Sequence, residues 1–169
     1  MSRSAVIAVI VATIFMLLYI WIRFSDVKFG FGSVIALLHD VLVVLAFYAF
    51  SRVSVGNTFI ACMLTIVGYS INATIVIYDR IREVLRDNQY NSMSLEDKVN
   101  MCVNQTLTRS IFTSLTTFIM VAVLYVLGVT SIREFALPLM AGIICGTYSS
   151  ICLASALWYI FKTKLVKKA

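Results

Sequence analysis

Residues 68–83 read GYSINATIVIYDRIRE, an apolar run that carries Ser70, Asn72 and Thr74 and ends in a cluster of charges. The apolar residues around these three polar side chains are typical of a helix inside a lipid bilayer. Polar groups at that depth cost free energy unless they form hydrogen bonds or line a water-filled pathway. The stretch therefore predicts a membrane-spanning helix with a polar function inside it.

The composition of the whole chain also indicates that it is surrounded by lipid. The 169 residues are 61% apolar and only 13% charged, whereas a soluble domain is about half apolar and about a quarter charged. The mean hydropathy is +0.96. The single proline and the lack of alternating ten-residue segments favour helices over a membrane barrel. We therefore expect an all-α membrane protein embedded in a lipid bilayer.

Five apolar segments are long enough to cross a hydrocarbon core of about 30 Å as helices. They are residues 5–22, 32–50, 59–78, 110–127 and 135–161. We expect residues 1–169 to form one transmembrane domain, a five-helix bundle with a cytoplasmic connection at residues 79–108. Short outer loops at about 51–58 and 128–134 make their neighbouring spans antiparallel. Pro138 then falls in the first turn of the last span, where its missing N–H costs little.

The cytoplasmic connection carries its own helix signal. Ser94 is followed three residues later by Asp97, the spacing of a capping box in which the serine hydroxyl accepts from the Asp97 backbone N–H. This pattern predicts a helix from about Leu95 into the fourth span, preceded by a turn at residues 86–92.

The basic residues indicate the orientation in the membrane. Eleven of the fourteen lysines and arginines lie on one side of the five spans, and only Arg3, Arg52 and Arg133 lie on the other. Because cytoplasmic loops carry the excess of basic residues, we expect the N-terminus outside and the C-terminus in the cytoplasm. The net charge of +6 follows from this placement. Since no nucleic-acid-binding motif accompanies it, we expect no nucleic-acid partner.

Two further groups of polar residues lie within or next to predicted spans. His39 and Asp40 lie in the second span, where a bare carboxylate costs several kcal/mol. They are either a protonatable or pairing site, or a helix–helix hydrogen bond near the interface. Gln105, Arg109 and Thr113 recur every four residues and form a stripe into the fourth span. Arg109 is either an interfacial anchor or a fixed charge facing a carboxylate in a wet path.

A stripe of small residues in the last span indicates close helix packing rather than chemistry. It consists of Gly142, Gly146, Ser150 and Ala154, and we place Gly68 of the third span in the same class. We expect no enzyme activity, because the chain lacks paired intramembrane carboxylates and a phosphate loop. The four cysteines and the one histidine form no clustered motif, so we expect neither a metal site nor a cofactor.

Four motifs follow one another along the chain, and together they resemble a known family. They are residues 32–40, residues 68–72 with 79–83, residues 104–110 with 113–117, and residues 142–151. In this order they resemble the C-terminal membrane half of SecF-type proteins, members of the SecD/SecF family of bacterial protein export. The residues that match the family's cytoplasmic motif are Asp79, Arg80, Arg82 and Glu83.

The resemblance implies a fold and a function. SecF-like proteins have six helices with a periplasmic domain between the first two, so this chain would supply helices two to six as half of a resistance-nodulation-division-type pair with SecD. It would lie in the bacterial cytoplasmic (inner) membrane as a multi-pass protein. There it would work with the SecYEG channel and preprotein substrates, using a proton or sodium gradient. The rival reading is a small stand-alone transporter of the same superfamily, or an assembly subunit without ion coupling.

Ala73 departs from the family pattern. The family commonly has an aspartate after the asparagine that matches Asn72, and that aspartate is the proposed proton carrier. Three interpretations follow for this chain: the coupling carboxylate lies on a SecD-like partner, Asp40 or His39 takes over, or Asn72 with Ser70 and Thr74 offers oxygens to sodium. Arg109 resembles the family's functional arginine and would favour the ionised form of a partner carboxylate.

Overall fold

The described part of the chain forms five consecutive helices. A computed structural model describes residues 27–53 and 56–166, together with seven isolated positions, which are Ile7, Val11, Ile14, Phe15, Leu18, Tyr19 and Ile22. The predicted span at residues 5–22 lies largely outside these residues. Helix α1 is Val27–Ser51, α2 is Asn57–Arg86 and α3 is Leu95–Leu127. Helix α4, Thr130–Tyr148, continues through a π-helical segment, Ser149–Ala154, into α5, Ser155–Val166.

Four stretches within the described residues are long and apolar enough to cross a membrane. They are Phe29–Ser51, Thr58–Arg86, Leu95–Leu127 and Thr130–Thr163. They correspond to the second to fifth predicted spans, and the described chain contains no strand. The all-helical membrane architecture is therefore confirmed, whereas the count of five spans and the orientation of the termini stay predictions.

The connection between α2 and α3 follows from a local cap. The Ser94 hydroxyl accepts from the Asp97 backbone N–H at 3.1 Å and donates to the Asp97 carboxylate at 2.6 Å. This confirms the predicted start of α3 at Leu95. The turn before it is also confirmed, since α2 ends at Arg86 and a short 3₁₀ turn occupies Asn88–Tyr90. Most of residues 79–108 is thus helical, as continuations of the two neighbouring spans.

The prediction for Pro138 was wrong. Helix α4 begins at Thr130, not near residue 135, so Pro138 lies well inside it. The loop before α4 consists only of Gly128 and Val129, because polar contacts end α3 at Leu127. The Gly128 N–H donates to the Leu124 carbonyl at 2.9 Å, and the Arg133 guanidinium donates to the carbonyls of Gly128 and Val126. These bonds satisfy terminal carbonyls of α3 and allow α4 to begin at once.

Two apolar clusters hold the bundle together on either side of a polar layer. One cluster includes Phe29, Tyr78 and Trp158, with Phe29 and Trp158 stacked at a centroid distance of 5.0 Å. The other includes Tyr48 and Ile66 and lies towards the opposite ends of the helices. On each of α1, α2 and the last helix, the buried residues between the two clusters in sequence are polar or small. This layer contains the candidate site.

Candidate functional site

Asp40 is the centre of the polar layer and is fully buried. Its Oδ2 accepts from the Ser70 hydroxyl of α2 at 2.5 Å and from the Ser149 hydroxyl of the π segment at 2.7 Å. Its Oδ1 lies 3.1 Å from His39 Nδ1 and accepts from the Cys145 thiol of α4 at 3.4 Å. Asp40 therefore joins α1, α2 and the last helix at membrane depth.

The π-helical segment brings two consecutive serines into this layer. Ser149 and Ser150 are both fully buried. Ser149 donates to Asp40, while the Ser150 hydroxyl donates to the Gly146 carbonyl at 2.7 Å and accepts from Thr74 at 3.1 Å. A π turn inserts an extra residue into a helix and occurs frequently at functional sites. Here the wider turn accompanies two neighbouring side chains that both reach partners inside the bundle.

The glycines of the small-residue stripe meet different neighbours. A Cβ atom at Gly142 would lie 2.5 Å from Cδ1 of Ile66, closer than real Cβ contacts, so α2 and α4 approach each other there because residue 142 is glycine. At Gly146 an added Cβ would lie 3.5 Å from Ser70 Cβ and 3.7 Å from Asp40 Oδ2, which is ordinary contact. Ala154 is also buried, and its carbonyl accepts from Tyr78 at 2.9 Å.

A second polar site is a groove between α2 and α3. Its cavity volume is about 80 Å³. The residues that line it are Tyr69, Asn72, Ala73, Val76, Arg109, Ser110, Thr113 and Ser114. Asn72, Arg109 and Thr113 are exposed, so the groove opens on the surface of the bundle. Ala73, the position predicted to depart from the family pattern, thus shares one groove with Arg109.

A hydrogen-bond network closes the inner side of this groove. The Ser114 hydroxyl accepts from Tyr69 at 2.8 Å and from Thr147 at 2.6 Å, and donates to the Ser110 carbonyl at 2.8 Å. These bonds connect α3 to α2 and to α4. The groove therefore has a wall that is fixed by three helices, and its open side faces away from the bundle.

Gln105 belongs to a different group from Arg109, although the two share a four-residue spacing. The Gln105 side chain accepts from Arg80 Nε at 2.7 Å, and Arg80 also pairs with Glu83 at 2.6 Å. Gln105 thus contacts the charged motif of residues 79–83 near the end of α2. Asp79 and Arg82 are half-buried on the same stretch.

Apart from Gln105, the sequence-predicted ion-path candidates therefore divide into two sites. Ser70, Thr74 and Asp40 lie in the buried layer, while Asn72, Ala73, Arg109 and Thr113 line the groove. The oxygens of Ser70 and Thr74 point into the bundle and do not share a site with Asn72. Sequence reasoning missed four participants: Tyr69, Ser114, Cys145 and Ser149. All four lie within the motifs that carry the family resemblance, but no sequence spacing relates Cys145 or Ser149 to Asp40.

This combination defines a class of protein: a multi-pass helical membrane protein with a buried carboxylate layer and an arginine-lined surface groove. The chain belongs to the SecD/SecF protein-export family, since the model "Protein export membrane protein SecD/SecF, C-terminal" matches residues 1–164. It is 46% identical over 99% of its length to the protein translocase subunit SecF of Alicyclobacillus acidocaldarius, of which it covers 54%. It is 39% identical to the SecDF of Bacillus subtilis, again over 99% of the chain, but covers 23% of that protein.

Solved structures agree with this assignment. The crystal structure of SecDF from Thermus thermophilus, described as a translocon-associated membrane protein, superposes with a TM-score of 0.89 at 43% identity, covering 95% of this chain and 22% of that one. SecDF in its super-membrane-facing form gives a TM-score of 0.82 at 42% identity over 90% of this chain and 20% of that one. The chain thus spans about half the length of the curated SecF relative and a smaller share of the fused SecDF proteins.

Proposed function

We propose that this chain is the C-terminal membrane part of an accessory subunit of Sec protein export. It assists preprotein translocation together with a SecD-like subunit and the SecYEG channel, and it uses the ion gradient across the bacterial cytoplasmic membrane. Its family supports the export role, because relatives are named protein translocase subunits. The occurrence of fused SecDF relatives supports the SecD-like partner.

The observation that carries the coupling mechanism is the groove between α2 and α3. Arg109 and Ala73 both line it, and it opens outward from the bundle. The side chain at position 73 is only a methyl group. This position therefore supplies no carboxylate to face the Arg109 guanidinium. We infer that a carboxylate of the SecD-like partner enters this groove and faces Arg109, which favours its ionised form. Gain and loss of a proton by that carboxylate would then be coupled to motion of the complex.

Asp40 is the less suitable coupling group. It is fully buried, and four side chains of its own chain surround its two oxygens. Such a carboxylate holds helices in register, whereas a carrier has to exchange protons with water. Asn72, Ser70 and Thr74 are also less suitable as a joint sodium site, because Asn72 lies in the groove and the other two face the buried layer.

The topology is part of the same proposal. Four described spans and the predicted span at residues 5–22 would give five crossings, with the N-terminus outside and the C-terminus in the cytoplasm. The charge distribution supports this orientation, and residues 79–108 would then lie on the cytoplasmic side.

The test is substitution of Arg109 in the intact complex. Arg109→Met removes the charge but keeps a long apolar side chain, so we expect gradient-dependent stimulation of export to be lost while the complex still assembles. Preprotein translocation into inverted membrane vesicles, with and without an ion gradient, measures the first effect. Co-purification of the SecD-like subunit measures the second.

Arg86→Met is the matched control, because Arg86 is also exposed but lies at the end of α2 and does not line the groove. We expect it to retain stimulation. Full gradient-dependent stimulation by Arg109→Met would remove Arg109 from the coupling mechanism.

A further inference from the structure

We propose that His39, Asp40 and Cys145 form a binding site for a divalent transition-metal ion, with Zn²⁺ as the best match. The site lies between α1 and α4 and does not rest on the proposed export function. It departs from the sequence-based expectation of no metal site. Among the described residues, these three offer ligand atoms that all lie within 4.8 Å of one another.

The distances between the three donor atoms are those of a tetrahedral site. His39 Nδ1 and Asp40 Oδ1 are 3.1 Å apart, Cys145 Sγ and Asp40 Oδ1 are 3.4 Å apart, and Cys145 Sγ and His39 Nδ1 are 3.9 Å apart. Zinc bonds of about 2.3 Å to sulfur and about 2.0–2.1 Å to nitrogen and oxygen place tetrahedral ligands roughly 3.3–3.6 Å apart. Shifts of a few tenths of an ångström would therefore allow all three atoms to bind one ion.

The donor set selects the kind of ion. Imidazole nitrogen, thiolate sulfur and carboxylate oxygen are the three ligand types of protein zinc sites. Magnesium, calcium and sodium prefer oxygen ligands throughout, so the thiolate disfavours them. A thiolate and a carboxylate also neutralise two positive charges, with the histidine neutral. A divalent ion here therefore avoids an uncompensated charge at membrane depth.

The surroundings hold the carboxylate in a metal-binding orientation. Ser70 and Ser149 both donate to Oδ2 of Asp40, which leaves Oδ1 directed towards His39 and Cys145. Hydrogen bonds of this kind orient metal ligands and tune their affinity. The His39 side chain is 36% exposed, so the site is reachable from the bundle surface. Three protein ligands leave a fourth position for water, as in exchangeable zinc sites.

Cobalt(II) titration of the purified full-length subunit tests the proposal, because Co²⁺ occupies zinc sites and reports its ligands by absorption. We expect one Co²⁺ per chain, with the visible bands of a tetrahedral ion and a near-ultraviolet thiolate-to-cobalt band. Added Zn²⁺ should displace both signals. Absence of the tetrahedral and thiolate signals in the wild-type protein would overturn the proposal.

Single-residue variants distinguish this site from nonspecific binding of Co²⁺ to other cysteine thiols. Cys145→Ser should abolish the thiolate band, and His39→Gln should weaken Co²⁺ binding on the order of 10-fold or more. Cys152→Ser, at an exposed cysteine of the same continuous helix, should change neither signal. Loss of the band in Cys152→Ser but not in Cys145→Ser would overturn the proposal. If circular dichroism and gel filtration show that Cys145→Ser does not fold, the His39→Gln variant becomes the deciding test. An unchanged Co²⁺ affinity in His39→Gln would then overturn the proposal.

Discussion

At the scale of single residues, Ala73 has the clearest functional consequence. It lines the same groove as Arg109, so its side chain determines whether that groove contains a carboxylate of this chain. The methyl group leaves room for a group from outside. We therefore propose that a departure from the family pattern at this one position changes which subunit supplies the charge that Arg109 faces.

Ala73→Asp in the intact complex should change the ion dependence of export stimulation. The new carboxylate would meet Arg109 within the groove and compete with the partner's carboxylate for the same cation. Stimulation measured under a proton gradient and under a sodium gradient, across a range of pH, would report the change. Ala73→Asn is the control of nearly the same size without the charge. An Ala73→Asp complex with the wild-type profile would show that position 73 is outside the ion path.

The residues of the buried layer show what sequence can and cannot predict. Asp40 and Ser70 were recognisable as polar groups at membrane depth, since each lies inside a long, predominantly apolar span. Cys145 and Ser149, which both donate to Asp40, lie more than 100 positions further along the chain than Asp40. A thiol and a serine in a helix that already contains several small residues carry no distinctive signal. Only the packing of α4 against α1 relates them to Asp40.

At the scale of elements, the close approach of α2 and α4 depends on Gly142. Gly142→Ala would place a Cβ atom 2.5 Å from Cδ1 of the buried Ile66, so either the Ile66 side chain or one of the two helices has to shift. Overpacking of this kind typically costs about 1–3 kcal/mol. We expect a lower midpoint in denaturant unfolding of the purified subunit. Gly146→Ala, whose Cβ would make ordinary contacts, is the matched control. Equal stability of the two variants would contradict this account.

Helix existence was predictable from hydropathy, but some helix ends were not. The start of α3 follows from the Ser94 cap, a local pattern that is visible in the sequence. The start of α4 depends instead on Arg133, which binds carbonyls five and seven residues before it. That contact exists only after the chain has turned. The sequence therefore suggested a longer loop and misplaced Pro138 within its helix.

At the scale of the whole molecule, α3 is the least covered of the four spans that the structure describes. Only 6% of its most apolar window is buried, compared with 39% for α2 and 44% for the span formed by α4 and α5. The stripe of Arg109 and Thr113 lies on this poorly covered helix. We expect the SecD-like partner to pack on the side of α3 that carries the groove, with lipid on the opposite side.

A photoreactive amino acid incorporated at position 113 should crosslink to the SecD-like subunit in native membranes. Position 111 is the matched control, because Ile111 is exposed on the same helix but about 200° away around its axis. Crosslinked products separated by electrophoresis and identified with an antibody to the partner give the measurement. Equal crosslinking from both positions, or crosslinking from 111 alone, would contradict a partner seated at the groove.

The π-helical segment also has a consequence for how this helix tolerates change in length. A stripe spaced by four residues drifts by about 40° per step around an α-helix of 3.6 residues per turn, yet Gly142, Gly146, Ser150 and Ala154 all stay buried. The wider turn at Ser149–Ala154 offsets that drift. Deleting one residue there would rotate everything beyond it and move Trp158 away from Phe29. The π-helical segment thus corrects the rotation of the stripe around the helix axis, and the residues at both ends of this long helix face the same bundle.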